Sequence, residues 1–483
     1  MKAPVKASAW TLCLAALCGM TAAVTGQQPV DRSKPPAFGP PPKLALPPVE
    51  TRTLANGLQV RVMGIHKVPT VHLELAIRTG VTADPAGKAG LASLTADMLD
   101  EGAGSRSALE IADAIDFLGA ELTTTGAVDA TYLELHVPVA RLADALPVMA
   151  DVVARPTFPE TELNRLRQER LASLLEMQDD PEQMIQVAFP RLVFGPRHRY
   201  GTPIVGTSAS LKGFTVADLK EFHAANIRPS NAVLVVAGDV TAEAIVPQLE
   251  RAFAGWTGPA GAKPPLAGDA PPSAARRVFL IDKPGAAQSQ IRIGTMGVPR
   301  SAPDYFAIRV LNTILGEAFT SRLNTNLREV HGYAYGASSR FDMRLSAGPF
   351  FAAAGVQTDK TADALKEFFI ELANIHQPVP GEELEKARNY LALLMPRNFE
   401  TTRGRADALA QAWIYDLPAD YYATYADRVR AVTAADVKRA ADKYIVPDRL
   451  AVVIVGDRKA IEAGVKALNL GPITVVEPAE MFK

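Results

Sequence analysis

Cysteine is nearly absent from this 483-residue chain: Cys13 and Cys18 are the only two, both inside the first twenty residues. A fold braced by disulfides is therefore excluded for everything that follows, and core burial, which a chain of this length can supply, must hold it together. An excess of one charge sign is missing too. Fifty-one Lys and Arg oppose 52 Asp and Glu, and a formal net charge of −1 leaves no electrostatic footprint for nucleic acid. No glycine-rich phosphate loop follows a strand pattern, which argues against a Rossmann-like α/β fold. No Gly-x-Ser-x-Gly elbow surrounds Ser93, which argues against a serine hydrolase. Histidine is scarce and scattered. None of His66, His72, His136, His198, His223, His331 and His376 forms a His-x-x-Glu-His, His-x-x-x-His or His-Glu-x-x-His pattern. His66 and His72, six residues apart on a strand and turn, are expected to be ordinary surface or half-buried residues.

What is present describes a globular chain with a large interior: 48% hydrophobic residues against 21% charged, at a length that implies two or more domains. The first 26 residues place Lys2 and Lys6 before an apolar run and then small residues from Ala22 to Gly26, the order of a secretory signal peptide. The alternative, an uncleaved membrane anchor, is weakened by the shortness of the run. A periplasmic or secreted protein is expected, cleaved between about Ala23 and Gln28, and its mature chain would contain no cysteine. Residues 27–50, including SKPPAFGPPPKLALPP, are too rich in proline for helix or ladder and should run extended.

The chain repeats itself. FTVADLKEFHAANIRPSNAVLVVAGD (214–239) aligns with VTAADVKRAADKYIVPDRLAVVIVGD (432–457), matching Thr215 to Thr433, Asp218 to Asp436, Pro229 to Pro447 and Gly238-Asp239 to Gly456-Asp457. Each copy reads as a Thr cap, a helix, a proline turn and a β-branched run ending in Gly-Asp. PETELNRLRQ from Pro159 and PGEELEKARN from Pro380 repeat at a slightly different offset. Two similar halves follow, 51–255 and 278–483, joined by a Gly-, Pro- and Ala-rich linker at 256–277. Within each half, period-2 strands such as Leu58–Met63, Val71–Arg78 and Thr131–Val137 interleave with helices such as Ala108–Leu118 and Glu160–Met177. The expected fold class is α+β, two homologous halves of largely antiparallel sheets with helices packed on one face.

The stretch GLASLTADMLDEGAG (90–104) predicts a helix whose one face presents Ser93, Ala96 and Asp97. Together with LANGLQVRVM (54–63), GKAGLASLTADML and SRLNTNLREVHGYAYGASSRF (321–341), it resembles the M16, or pitrilysin and insulinase, family of zinc metallopeptidases over nearly all of residues 50–460. The resemblance implies a half-shell fold and an inverted zinc motif, His-x-x-Glu-His. Here the two histidine positions are Ser93 and Asp97, and the glutamate position is Ala96. It further aligns Glu169 with a supporting glutamate and Glu176 with the third zinc ligand; the plain alternative is a solvated helix face with inherited spacing. Asp97 and Glu176 are too few donors for catalytic zinc, and Ala96 cannot take a proton from water. In the second half Gly332 permits a turn, after which Tyr333, Tyr335 and Ala337 are expected to share a strand face. The resemblance implies that Arg328 and Tyr335 contact substrate, where both can donate to a peptide carbonyl or oxyanion.

The expected protein is thus a non-catalytic subunit with no cofactor of its own, paired with a His-x-x-Glu-His chain that carries zinc, the pair enclosing and cleaving peptides. An inactive peptide-binding or structural M16-like protein is the alternative.

Overall fold

The computed structural model describes residues 46–258, 266–268 and 273–482. The expected signal peptide, most of the proline-rich segment and parts of the linker lie outside the described residues. Two six-stranded sheets organise the rest. The first is built from β1 (Glu50–Thr53), β2 (Gln59–Gly64), β3 (Thr70–Ile77), β4 (Glu121–Gly126), β5 (Thr131–Pro138) and β6 (Ala232–Gly238), in the spatial order β1-β2-β6-β3-β5-β4. The second is built from β7 (Arg277–Asp282), β8 (Gln288–Met296), β9 (Ala334–Phe341), β10 (Pro349–Gln357), β11 (Ala451–Gly456) and β12 (Ile473–Val476), in the order β9-β10-β8-β11-β7-β12. Most neighbours are antiparallel. β6 runs parallel to β2, and β7 runs parallel to β11 and β12. With its many helices the chain is α+β, and read from opposite ends the two sheets share one strand order, β2-β6-β3-β5-β4 matching β7-β11-β8-β10-β9.

The repeated segments occupy equivalent places. Thr215 and Thr433 each cap a helix, Val216–Asn226 and Ala434–Tyr444, through a reciprocal box with Asp218 and Asp436, and each helix leads through a proline turn into β6 or β11. Such a box satisfies otherwise unpaired N–H groups at the helix start, which is why the Thr-x-x-Asp spacing recurs.

One feature of the packing ties the halves together. The helix α3 (Pro181–Phe194), which follows the long helix α2 (Glu160–Asp179), lies against β8 and β11 of the second sheet. Its counterpart α4 (Thr402–Ile414) lies against β3 and β6 of the first. Each sheet therefore carries its own half's helices on one face and a helix from the opposite half on the other. Ala406 and Ala410 let α4 approach Ala76, Val233 and Val235 closely. Trp413 anchors its end: the indole N–H donates to Gln59 at 3.0 Å, and the Arg78 guanidinium stacks 4.2 Å over the ring.

That exchange corrects the expectation for one histidine. His66 is exposed and pairs with Asp239, but His72, on the β3 face beneath α4, is fully buried.

Candidate functional site

The helix α1 (Leu91–Asp97) begins at Gly90, whose φ of +87° and close approach to Gly206 both require glycine: a Cβ there would lie 2.5 Å from the Gly206 Cα. Buried Asp84 caps this start, accepting from the Gly90 and Ala92 amides at 2.8 and 2.7 Å. Burial raises the Asp84 pKa, and the two amide bonds oppose that shift. The Ser93 and Ala96 side of α1 rests partly on the edge strand β4, where Gly126 abuts both residues.

The face carrying Ser93, Ala96 and Asp97 is occupied by a cation of the chain's own. Arg170 of α2 is buried, and its Nη1 donates to the Ser93 Oγ at 2.9 Å and to the Val205 carbonyl at 3.3 Å. Its Nη2 donates to the Asp97 carboxylate. Ser93 in turn donates to the Ile204 carbonyl at 2.6 Å. The guanidinium thus bridges the two positions where a zinc site would place its imidazoles. A neutral hydroxyl and one carboxylate already bound to arginine are a poor donor set for zinc, and Ala96 offers no base. These residues do not fit the metal.

Glu169 and Glu176 do not join this group. Helical geometry sets them on one strip of α2, roughly 100–120° around from Arg170. Both are exposed, and Glu169 accepts from Arg165 at 3.0 Å in a surface network that includes Glu162 and Glu101. Both stand on a solvent-facing strip of α2, away from Ser93 and Asp97. The residue that sequence reasoning missed is Arg170 itself, and a signal existed: it stands on the stripe defined by Leu163 and Leu174, where an unpaired arginine needs a partner.

In the second half, Leu327–Val330 belongs to a short wide-wound helical turn, Thr325–Val330, and Gly332 at φ +64° reverses the chain into β9. β9 is the edge strand of its sheet and pairs Ala334 with Val356 but Ala337 with Ala354, so one extra residue bulges between them. The bulge overturns the expectation that Tyr335 and Ala337 share a face. Ala337 is buried, whereas Tyr335 is turned outward and is 88% exposed. A bulge at an edge re-aims a side chain in this way. The Arg328 guanidinium lies 5.1 Å from the Tyr335 ring centroid and 4.7 Å from that of exposed Phe319, with Glu329 at 3.2 Å. An arginine and a phenol are thus held side by side, facing solvent, at the edge of the sheet.

Two sequence profiles of one family match the chain: insulinase (peptidase family M16) over residues 61–202 and the peptidase M16 inactive domain over 213–391. A protein of Mycobacterium bovis named as an uncharacterized zinc protease is 29% identical over 327 residues, 67% of this chain and 74% of its own. One of Streptomyces coelicolor with the same designation is 26% identical over 86% of this chain and 91% of its own. The crystal structure of a peptidase M16 inactive domain from Pseudomonas fluorescens superposes with a TM-score of 0.79 at 26% identity, covering 85% of this chain and 98% of that one. A Helicobacter pylori protease, 21% identical, shares the fold with a TM-score of 0.79 over 85% of this chain and all of its own.

Proposed function

From the premise that this chain belongs to the M16, or insulinase, peptidase family, we propose that it is the non-catalytic subunit of a two-chain M16 zinc peptidase. The observation that carries this reading is the outward-turned pair of Arg328 and Tyr335. An arginine and a phenol presented together at a sheet edge suit a peptide carbonyl or its tetrahedral oxyanion, yet this chain's own α1 face holds an arginine where the reaction would need metal and base. In this reading zinc and its ligands belong to the partner chain, and Arg328 and Tyr335 complete the partner's site. The plugged α1 face supports a second reading equally, an inactive M16-like protein that binds peptides or serves as scaffold.

The order of charged, apolar and small residues in the first 26 positions supports export to the periplasm. Terminal sequencing of the periplasmic fraction should find a chain starting near residue 27; one starting at Met1 contradicts cleavage, and absence of the chain from that fraction contradicts export.

Elemental analysis tests the division of labour. The isolated chain should hold no stoichiometric zinc and cleave no peptide, while its complex with a His-x-x-Glu-His M16 chain should hold one zinc per pair, lost when the partner's histidines are replaced. Near-stoichiometric zinc and chelator-sensitive cleavage by the isolated chain would overturn the proposal.

A further inference from the structure

Beside the plugged site a cavity of about 390 Å³ opens between the halves, walled by α3 and the 199–205 loop on one side and by β8, β9 and β10 on the other. Ile204 and Val205, whose carbonyls take the Ser93 hydroxyl and the Arg170 guanidinium, form part of its wall. Its charged lining is nearly all of one sign. Arg199, Arg292, Arg340 and Arg344 face a single carboxylate, Asp342. That carboxylate is already engaged: Arg344 donates to its Oδ2 at 3.0 and 2.6 Å, and Arg340 stands 4.0 Å from its Oδ1. Arg199 donates to the Pro85 carbonyl at 3.4 Å.

Arg292 is the informative member. It sits in the middle of the central strand β8, with its guanidinium 4.6 Å over the Phe351 ring and no carboxylate in contact among the described residues. Burial drives its pKa down to about 10; Glu182 offsets this from a distance and Arg340 adds to it. A half-buried cation facing a cavity among other cations is held at a cost that an anion entering the cavity would relieve. Guanidinium forks match the planar geometry of a carboxylate, and Gln183 and Gln186 add amides to the same wall. Phe351 and Met177 offer apolar surface for the carbon stem behind such a group.

We propose that this cavity takes a carboxylate of the bound peptide, either an acidic side chain or a free C-terminus, with Arg292 and Arg340 as its charged contacts. The inference rests on the peptide-binding reading and names the peptide class that reading leaves open: acidic, or ending inside the chamber.

Fluorescence anisotropy with the full chain tests it, using a short labelled peptide as the free acid, as the C-terminal amide, and as the amide bearing one glutamate. The free acid or the glutamate peptide should bind roughly ten- to a hundredfold more tightly than the plain amide, the span of a charge-assisted contact. Whichever of the two gains identifies the source of the carboxylate. Arg292→Gln should erase the gain. Arg340→Gln, at an exposed side chain, should reduce it and guards against a folding defect in the first variant, with melting temperatures checked for both. Equal binding of all three peptides, or an equal loss for all three in the variants, overturns the pocket and leaves peptide binding standing. Failure of every peptide to bind the wild-type chain removes both.

Discussion

Arg170 shows what a single side chain settles. A guanidinium placed between Ser93 and Asp97 neutralises the carboxylate and saturates the hydroxyl, so the α1 face is a closed polar contact and not an open coordination site. Replacing it by alanine leaves Ser93 without this donor and Asp97 without its counterion, and should cost about 1–3 kcal/mol, the usual penalty for orphaning a largely buried polar group. Chemical denaturation measures that loss. Zinc content should not rise, since Ala96 and a lone carboxylate remain; an Arg170→Ala chain that takes up stoichiometric zinc would show that arginine alone had been excluding the metal. The replacement of the zinc motif was legible in Ser93, Ala96 and Asp97, and so was the Arg328 and Tyr335 pair. The partner of Asp97 was not, because Arg170 lies 73 residues away and reaches it through the packing of α2 on α1. Alternation alone sets Tyr335 on the face of Ala337, and the bulge that separates them shifts register by one residue without leaving a mark in the side-chain pattern.

At the scale of elements, the exchange of α3 and α4 decides which residues are buried. β3 reads as an alternating strand, VHLELAI, and alternation predicts one wet face. In the fold α4 covers that face, so Glu74 is buried beside Asp407 of α4, and His72 beside His136 and Glu134. Nothing local to β3 announces a helix arriving from the other half. The strands themselves and the repeated helices, by contrast, were legible in local periodicity and in the duplicated segments, whereas the strand order was not. Burial, with the Asp407 carboxyl next to it, pushes the Glu74 pKa up to about 9. An acid whose folded pKa is raised contributes its full stability below its unfolded value, near 4.5, and loses it progressively as pH rises toward 9. Glu74→Gln cannot ionise and keeps a donor for Asp407. It should therefore melt at nearly the wild-type temperature at pH 5 and increasingly above it from pH 6 to pH 9. A difference that is constant with pH would mean that Glu74 is ionised throughout and that α4 tolerates a buried negative charge.

The described residues form two similar halves locked by exchanged helices, and the halves have diverged in what they present. The first offers a plugged face on α1 beside the edge strand β4; the second offers Arg328 and Tyr335 at the corresponding edge strand β9. On the proposed function, Arg328 and Tyr335 are one half of an active centre whose metal and base stand on the partner chain. Turnover in a reconstituted pair tests this most directly: a His-x-x-Glu-His M16 chain mixed in turn with the wild-type, Arg328→Ala and Tyr335→Phe chains, with complex formation followed in the same samples. Both variants should assemble as the wild type does, with turnover lower by about 100- to 1000-fold, the cost of losing one oxyanion donor. Assembly at wild-type levels with undiminished turnover for both variants would contradict the shared active centre and leave the chain a scaffold.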